Sequence, residues 1–198
     1  MDRDSAESLM LQQVRAAGLR RHMWAVEAAM RWYASRLGQP VELWGLAGLL
    51  HDFDWEIHPT LEDHPAKGAV ILRDAGCPDS VIQAILSHNT AGTGVERREA
   101  MDFALLACDE ITGLMIAATL IRPSKDIREM KLKSVKKRWK EKSFAAGVDR
   151  QEVESATRDF SDRCFDGRLD LWQHAANVLG AMQDRAALLE LDGRLAQG

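Results

Sequence analysis

Apolar residues recur every three or four positions along almost the whole chain, which is the spacing of one buried helix face. The segment 22–37 shows this spacing at Met23, Val26, Ala29, Met30 and Tyr33. Residues that end helices separate such segments, as Gly38-Gln39-Pro40 does. No segment keeps the two-residue alternation of a half-buried strand, and no internal repeat or low-complexity segment is visible. The sequence therefore predicts an all-α fold, a compact helical bundle.

The predicted helices follow one another with short connections. We expect them over residues 5–17, 22–37, 41–51, 65–76, 78–88, 97–121, 125–144, 149–160 and 169–195. Two polar loops, residues 52–63 and 89–94, interrupt the series. No linker divides the chain, so the prediction is a single domain over residues 1–198.

Composition places the chain among soluble proteins of a reducing compartment. Hydrophobic residues make up 46% and charged residues 28% of the sequence. Cys77, Cys108 and Cys164 lie far apart, which excludes a disulfide framework and a thiolate metal site. The acidic, polar amino terminus does not resemble a signal peptide. The longest apolar stretch, residues 111–121, is too short to span a bilayer. We expect a cytoplasmic protein without a membrane partner.

Positive charge is concentrated in one segment. Residues 122–142 contain ten Lys or Arg and three Asp or Glu, a local net charge of +7. Because the whole chain carries −4, the other residues sum to −11. Such a segment is usually a solvated helix face, and a rim that faces an anionic substrate is the sharper interpretation. The negative remainder argues against nucleic acid as a partner.

Ionisable residues occur where the pattern predicts burial. The apolar run 46–50 ends directly in His51-Asp52, and both side chains are good ligands for divalent metals. Asp109 lies in the most apolar predicted helix, and an unpaired buried carboxylate costs several kcal/mol. No basic residue lies within one turn of it, which favours a metal or a distant cation.

Three further histidines lie at predicted helix ends: His22, His64 and His88. Each has an ordinary structural interpretation as a capping or terminal histidine, and Asp109 has one as a member of an interhelical salt bridge. Together with His51-Asp52 they are better explained as metal ligands. His58 and His174 lack such a context and are predicted to be surface or core residues.

The ordered series His22, His51-Asp52 and Asp109 resembles the H…HD…D pattern of the HD-domain superfamily of metal-dependent phosphohydrolases. Residues 64–72, HPAKGAVIL, resemble the HP-x-x-G-x-x-L-L helix start of binuclear HD phosphodiesterases. His88 with the following Asn89-Thr90-Ala91-Gly92 resembles the H-T-T-G segment of bacterial HD enzymes that cleave diadenosine tetraphosphate. The resemblance covers about residues 18–122, the expected HD core, and leaves the basic segment and C-terminal helices at 123–198.

Two departures from these patterns narrow the range of expected substrates. Phe53-Asp54-Trp55 follows the pair where cyclic-dinucleotide enzymes have Ile-Gly-Lys, and their GYP triplet is missing, which argues against cyclic di-GMP. Residues 122–137 resemble the tail of an uncharacterised group of bacterial HD domain proteins.

The resemblance implies a site with two divalent transition metals, for which Fe or Mn is expected. His22, His51, Asp52 and Asp109 would bind one ion, and Asp52 would bridge to a second held by His64 and His88. A metal-activated water would then attack a phosphoester or phosphoanhydride of a nucleotide or another small phosphorylated metabolite.

Several other residues are predicted to act on the substrate. Asp52 and Lys67 are the predicted catalytic residues; Lys67 lies three residues after His64 on the same helix face and is also expected to contact a phosphate oxygen. The other predicted substrate-binding residues are Arg122, Lys133, Lys136 and Lys137. Asp54 is interpreted as a polar loop residue or as one that orients water or a ligand. Trp55 is interpreted as a core residue or as a platform for a base.

Two alternatives to a phosphohydrolase stay open. A non-catalytic nucleotide-sensing module would bind a ligand without turnover, and a di-iron oxygenase on the same fold would consume oxygen without releasing phosphate. The apolar stripe of the last predicted helix, with Leu171, Val178 and Met182, is typical of a core and leaves a homodimer open.

Overall fold

The computed structural model describes residues 1–196 and confirms the all-α prediction: these residues form ten α-helices and no β-strand. The helices are α1 (Arg3–Gln13), α2 (Ala17–Leu37), α3 (Val41–Leu50), α4 (Ala66–Asp74), α5 (Asp79–Ser87), α6 (Thr90–Thr93), α7 (Ala100–Leu120), α8 (Leu132–Lys140), α9 (Arg150–Phe165) and α10 (Leu171–Asp184). Short 3₁₀ helices cover Ile127–Glu129 and Arg194–Ala196.

The chain folds as two compact units, one of residues 1–105 and one that starts at Leu106, so that the boundary falls within α7. The first unit contains α1 to α6, and the second contains α8 to α10. The organisation as a single domain stays a prediction.

In the first unit, α2 and α3 pack closely because two glycines of α3 leave room for α2. A Cβ on Gly48 would lie 2.7 Å from the backbone nitrogen of Glu27, and one on Gly45 would overlap the Arg31 guanidinium. Glu27 is 2% exposed, and its carboxylate accepts hydrogen bonds from Arg3 at 2.7 Å and Arg31 at 2.8 Å. The two arginines thus compensate a buried charge that would otherwise be costly.

Helix α2 begins at Ala17, five residues before the predicted start, so His22 lies in the second turn rather than at the first position. The Glu56 carboxylate accepts hydrogen bonds from the backbone N–H of Arg15 at 2.9 Å and of Ala16 at 2.8 Å. Free N–H groups at a helix start need such partners, and here the partner comes from forty residues later in the chain. Local sequence patterns could not reveal it.

The second polar loop is more ordered than predicted, since residues 90–93 form the short helix α6. The Asn89 side chain accepts a hydrogen bond from Gly92 N–H and donates to the carbonyls of Leu61 and His64 at 2.9 and 2.8 Å. This side chain therefore fixes both polar loops to each other at the point where His64 leaves the first one.

Two predicted helices of the second unit are shorter than expected. The predicted helix 125–144 is reduced to α8, because Ile127 N–H donates to Leu191 O at 2.8 Å and the Gln183 amide donates to the carbonyls of Ile127 and Met130. These tertiary hydrogen bonds occupy backbone groups that a continuous helix would pair within itself.

The predicted helix 169–195 ends at Asp184 instead. The chain then turns, with Glu190 at a φ of 54°, and this turn buries both Leu189 and Leu191. The predicted core stripe of α10 is buried at Ala175, Val178, Leu179 and Met182, whereas Leu171 at its start is half-buried.

Helix α7 is, among residues 1–196, the one helix long and apolar enough to cross a membrane by length and composition. An 18-residue window has a mean hydropathy of 1.7, and 61% of it is buried inside the protein. The prediction from residues 111–121 alone underestimated this apolar length. Burial of this extent is typical of the core helix of a soluble protein.

His174 of α10 is a core residue, fully buried, with Nε2 donating to Ala107 O at 2.8 Å. Burial lowers its pKa to about 4. The unfolded chain, with a histidine pKa of about 6.5, therefore binds more protons between pH 4 and 6.5, so this residue makes the protein less stable as the pH falls through that window.

Replacing His174 with glutamine should remove this pH dependence while an amide N–H remains to donate to Ala107. We expect the free energy of unfolding of the wild type, relative to His174→Gln, to fall by about 2 kcal/mol between pH 7 and pH 5. Urea unfolding of both proteins at the two pH values, with chelator present throughout, measures this difference. A constant difference would mean that folding does not change the pKa of His174.

Candidate metal centre

Five predicted ligands come together in the first unit because helices begin or end there. His51 and Asp52 directly follow α3, His88 directly follows α5, and His64 precedes α4 by two residues. His22 reaches the same place from the second turn of α2. Several helix ends meet at this place, and each contributes one or two side chains. Residues as far apart in sequence as His22 and His88 therefore come together.

The five side chains form two groups that share Asp52. The first group is His22, His51 and Asp52, and the second is Asp52, His64 and His88; in each, the donor atoms all lie within 4.8 Å of one another. The Nε2 atoms of His22 and His51 are 3.2 Å apart, and those of His64 and His88 are 3.1 Å apart.

The two carboxylate oxygens of Asp52 face different groups. Its Oδ2 lies 3.8 Å from His22 Nε2 and 3.5 Å from His51 Nε2. Its Oδ1 lies 3.2 Å from His64 Nε2 and 3.7 Å from His88 Nε2. This carboxylate is therefore placed as a bridge between two groups of histidine nitrogens.

The donor set fits metal ions. The Nδ1 atoms of His51 and His88 bond the carbonyls of Gly48 and Ile85, and that of His64 bonds the Asp54 carboxylate at 2.7 Å. With the protons on Nδ1, the Nε2 lone pairs of His64 and His88 face each other at 3.1 Å. A metal ion between them, or an added proton on one ring, makes that arrangement favourable. Two nitrogens bound to one ion at about 2.1 Å are about 3.0–3.4 Å apart, which matches both histidine pairs.

Charges within the site favour ionised Asp52 and protonated His64 when no metal is bound. Burial opposes the ionisation of Asp52, but the surrounding histidines hold its pKa well below its usual range. Burial also disfavours the charge on His64, but hydrogen bonds to Asp52 and Asp54 outweigh it and raise the pKa of His64 to about 9. A metal that binds at His64 must therefore displace a proton.

Asp54 orients His64, a role that the sequence interpretation missed. Its side chain is fully buried, with Oδ1 accepting from His64 Nδ1 and Oδ2 accepting from the Gly68 N–H at 3.0 Å. A Cβ on Gly68 would overlap this carboxylate, so glycine is required there for packing. The position of Asp54, two residues after Asp52 in the same tight turn, was the available signal.

Replacing Asp54 with asparagine should weaken metal binding at the second group alone. The amide cannot accept from both His64 and Gly68, so the imidazole loses its fixed orientation. Loss of such an orienting carboxylate typically costs about 10–100-fold in metal affinity. Calorimetric titration with Mn²⁺ should show one weakened site and one unchanged site.

The matched control for this experiment is Asp63→Asn, an acid of the same loop that pairs with Lys67 at the surface. We expect both sites to keep their affinity in that protein. Unchanged affinities in Asp54→Asn would show that His64 does not depend on this carboxylate.

The remaining predicted site residues lie in different surroundings. The Lys67 ammonium is exposed and pairs with Asp63 at 2.9 Å, so its catalytic and substrate-binding roles stay predictions. The half-buried Trp55 ring packs edge-on against His64, with ring centroids 5.0 Å apart. It therefore borders the metal groups rather than the deep core.

Five of the predicted site residues belong to the second unit. Asp109 is half-buried on α7, and its carbonyl accepts from the Thr112 hydroxyl at 2.7 Å. Its role as a further metal ligand stays a prediction from the family pattern. Arg122 follows α7, and α8 carries Lys133, Lys136 and Lys137.

Residues 19–122 match the family model of the HD domain. The chain belongs to the HD domain family. The matched segment agrees closely with the core expected at 18–122, and it contains all six residues predicted as ligands. Comparison with curated proteins and with solved structures gave no match.

Membership in the HD domain family agrees with the geometry of the two histidine groups. Proteins of this family are in general metal-dependent phosphohydrolases, and the two histidine groups around Asp52 are a suitable place for divalent metals. The family therefore supports a metal-dependent hydrolase.

Proposed function

We propose that this HD domain protein is a metal-dependent phosphohydrolase that acts on a nucleotide or another small phosphorylated metabolite. The observation that carries the proposal is the Asp52 carboxylate, whose two oxygens each face a pair of histidine Nε2 atoms. Two adjacent metal sites that share a carboxylate are the arrangement used to clamp the attacking and leaving oxygens of a phosphoryl group.

His22, His51 and Asp52 would hold one ion, with Asp109 as a proposed fourth ligand, and Asp52, His64 and His88 would hold the second. When bound, such ions supply a water-derived nucleophile near neutral pH and neutralise phosphoryl charge. Mixed histidine and carboxylate ligands favour Fe or Mn over Mg or Ca.

The protein's own residues prepare this site. The carbonyls of Gly48 and Ile85 and the Asp54 carboxylate hold three imidazoles with Nε2 inward. The buried His51 and His64 limit water on one side, while Asp52, with 19% of its side chain exposed, keeps the site open to solvent and substrate. We further propose that the protein works in the cytoplasm, and that Lys67 offers a cation to substrate phosphate.

The test is phosphate release from a panel of nucleotides, phosphomonoesters and phosphodiesters, with protein purified without oxygen or chelators and loaded with Fe or Mn. We expect turnover of at least one class, which chelator abolishes and added metal restores. Binding of a nucleotide without turnover under any metal would favour a sensing module. Loss of substrate that requires oxygen and releases no phosphate would favour an oxygenase.

A further inference from the structure

A cavity of about 260 Å³ lies within the second unit, between the end of α7 and one side of α8. Ile121 and Pro123 contribute to its apolar wall. Its polar lining consists of Arg122, Ser134, Lys137 and Arg138. Three cationic side chains and a hydroxyl thus share one concave surface, and no acidic residue is part of the lining.

Arg122 has hydrogen-bonding capacity left over in this cavity. Its Nε is buried and makes no hydrogen bond with any described residue. Its Nη2 has only long contacts, 3.4 Å to the Glu129 carbonyl and 3.6 Å to the Glu129 carboxylate, which is 57% exposed. Because Nε has no accessible surface, an anionic oxygen would bind at the Nη groups of this side chain, which is 28% exposed.

The other two cations differ in how firmly they are held. Arg138 pairs with Glu141 and lies over the Phe144 ring at 4.9 Å, so its guanidinium is fixed beside the cavity. The exposed Lys137 ammonium forms no ion pair with any residue of the described part of the chain. Lys137 is therefore free to turn toward a ligand, while Arg138 supplies a fixed positive charge.

The rest of α8 increases the positive potential. Lys133, Lys136, Lys137 and Lys140 are spaced three and four residues apart, so they repel one another on one side of the helix, while Val135 is buried on the other. Like charges at this spacing destabilise an isolated helix. Bound anionic charge would offset this repulsion.

We propose that this cavity binds the phosphate group of a small phosphorylated molecule, with Arg122 and Lys137 as the principal contacts and Ser134 as a hydroxyl donor. A guanidinium, an ammonium and a hydroxyl around one cavity match the several oxygens of a phosphate dianion. The apolar wall of Ile121 and Pro123 accommodates a non-ionic part of the same molecule. The proposal concerns the second unit alone and does not depend on hydrolysis at the metal centre.

Inorganic phosphate is the probe, because it tests the anion contacts without a choice of substrate. Binding is measured by calorimetry on the full chain carrying Asp52→Asn, with chelator present, so that the metal centre cannot contribute. We expect saturable 1:1 binding that Arg122→Gln and Lys137→Gln each weaken at least about tenfold, as loss of a charge-assisted contact requires.

Lys140→Gln is the matched control, since it removes an equal charge from the same helix outside the cavity lining. We expect less than a twofold change from it. Ser134→Ala, which keeps every charge, should weaken binding by a smaller factor than Lys137→Gln. Circular dichroism verifies that each protein keeps its helices.

Absence of phosphate binding, or an equal loss from Lys140→Gln and Lys137→Gln, would overturn the proposal, since equal losses indicate diffuse attraction to a basic helix. The source of the phosphate is decided on the active wild type. If Arg122→Gln raises the KM for a hydrolysed substrate at unchanged kcat, the cavity holds that substrate's phosphate. If the KM is unchanged while phosphate binding is lost, the cavity holds a separate phosphorylated ligand.

Discussion

Replacing Asp52 with asparagine should abolish metal binding at both groups and reduce kcat/KM for phosphoester hydrolysis at least about 10³-fold, or about 4 kcal/mol. The amide has nearly the shape of the carboxylate, but it carries no charge. One of its two polar atoms is an NH₂ group, which cannot bind a metal. Because one oxygen of Asp52 faces each histidine pair, a single substitution disables both groups.

Elemental analysis of metal per chain and steady-state hydrolysis measure the two effects of Asp52→Asn. Asp63→Asn is the control, because that acid belongs to the surface pair with Lys67. We expect it to keep wild-type metal content and to lose far less than about 10³-fold in kcat/KM. Full hydrolysis by Asp52→Asn would refute the mechanism, and full metal content with lost hydrolysis would make Asp52 a group that acts on substrate instead.

The helices could be predicted from sequence wherever their ends depend on local residues. Gly38 adopts a left-handed φ of 65° at the end of α2, as a glycine after a periodic segment predicts. The predicted helix bounds are wrong where a group distant in sequence determines the position of the helix end. The Glu56 carboxylate accepts hydrogen bonds from backbone N–H groups at the start of α2. Before α8, Gln183 and Leu191 bond backbone groups of Ile127 that a longer helix would have used.

The residues of the candidate site were predictable for a related reason. Histidines and acids next to apolar runs are costly to bury without a partner. The sequence alone shows where such residues occur. The Asp52 bridge is consistent with what the family resemblance implied. Asp54 was misjudged because its partner His64 is ten residues away, and its position two residues after Asp52 was the one local signal of its role. The burial of Glu27 was missed because one of its two arginines, Arg3, comes from α1, 24 residues away.

The basic segment shows the limit of reading charge from sequence. The local net charge of +7 counts its ten Lys and Arg residues alike, but their surroundings in the structure differ. Arg128 is paired with Asp126 and Arg138 with Glu141, while Lys136 stacks on Trp172. Such contacts leave Arg122 and Lys137 as the cavity-lining cations without a short ion pair, whereas Arg138 lines the same cavity but is paired with Glu141.

Removing His64 and His88 together should leave one metal site intact. Both imidazoles belong to the second group alone, whereas Asp52 stays in place to complete the first with His22 and His51. We therefore expect about two transition metals per chain in the wild type and about one in His64→Ala/His88→Ala. The kcat for phosphoester hydrolysis should fall at least about 10²-fold, since each metal ion contributes several kcal/mol of transition-state stabilisation.

His58→Ala is the control for this double variant, because it removes a half-exposed histidine that belongs to neither group. Proteins purified without oxygen or chelators are compared by elemental analysis. One metal in both the wild type and the double variant would reduce the centre to a single ion, with His64 and His88 serving substrate or structure. No metal in either would remove the metal-based chemistry and leave a binding module.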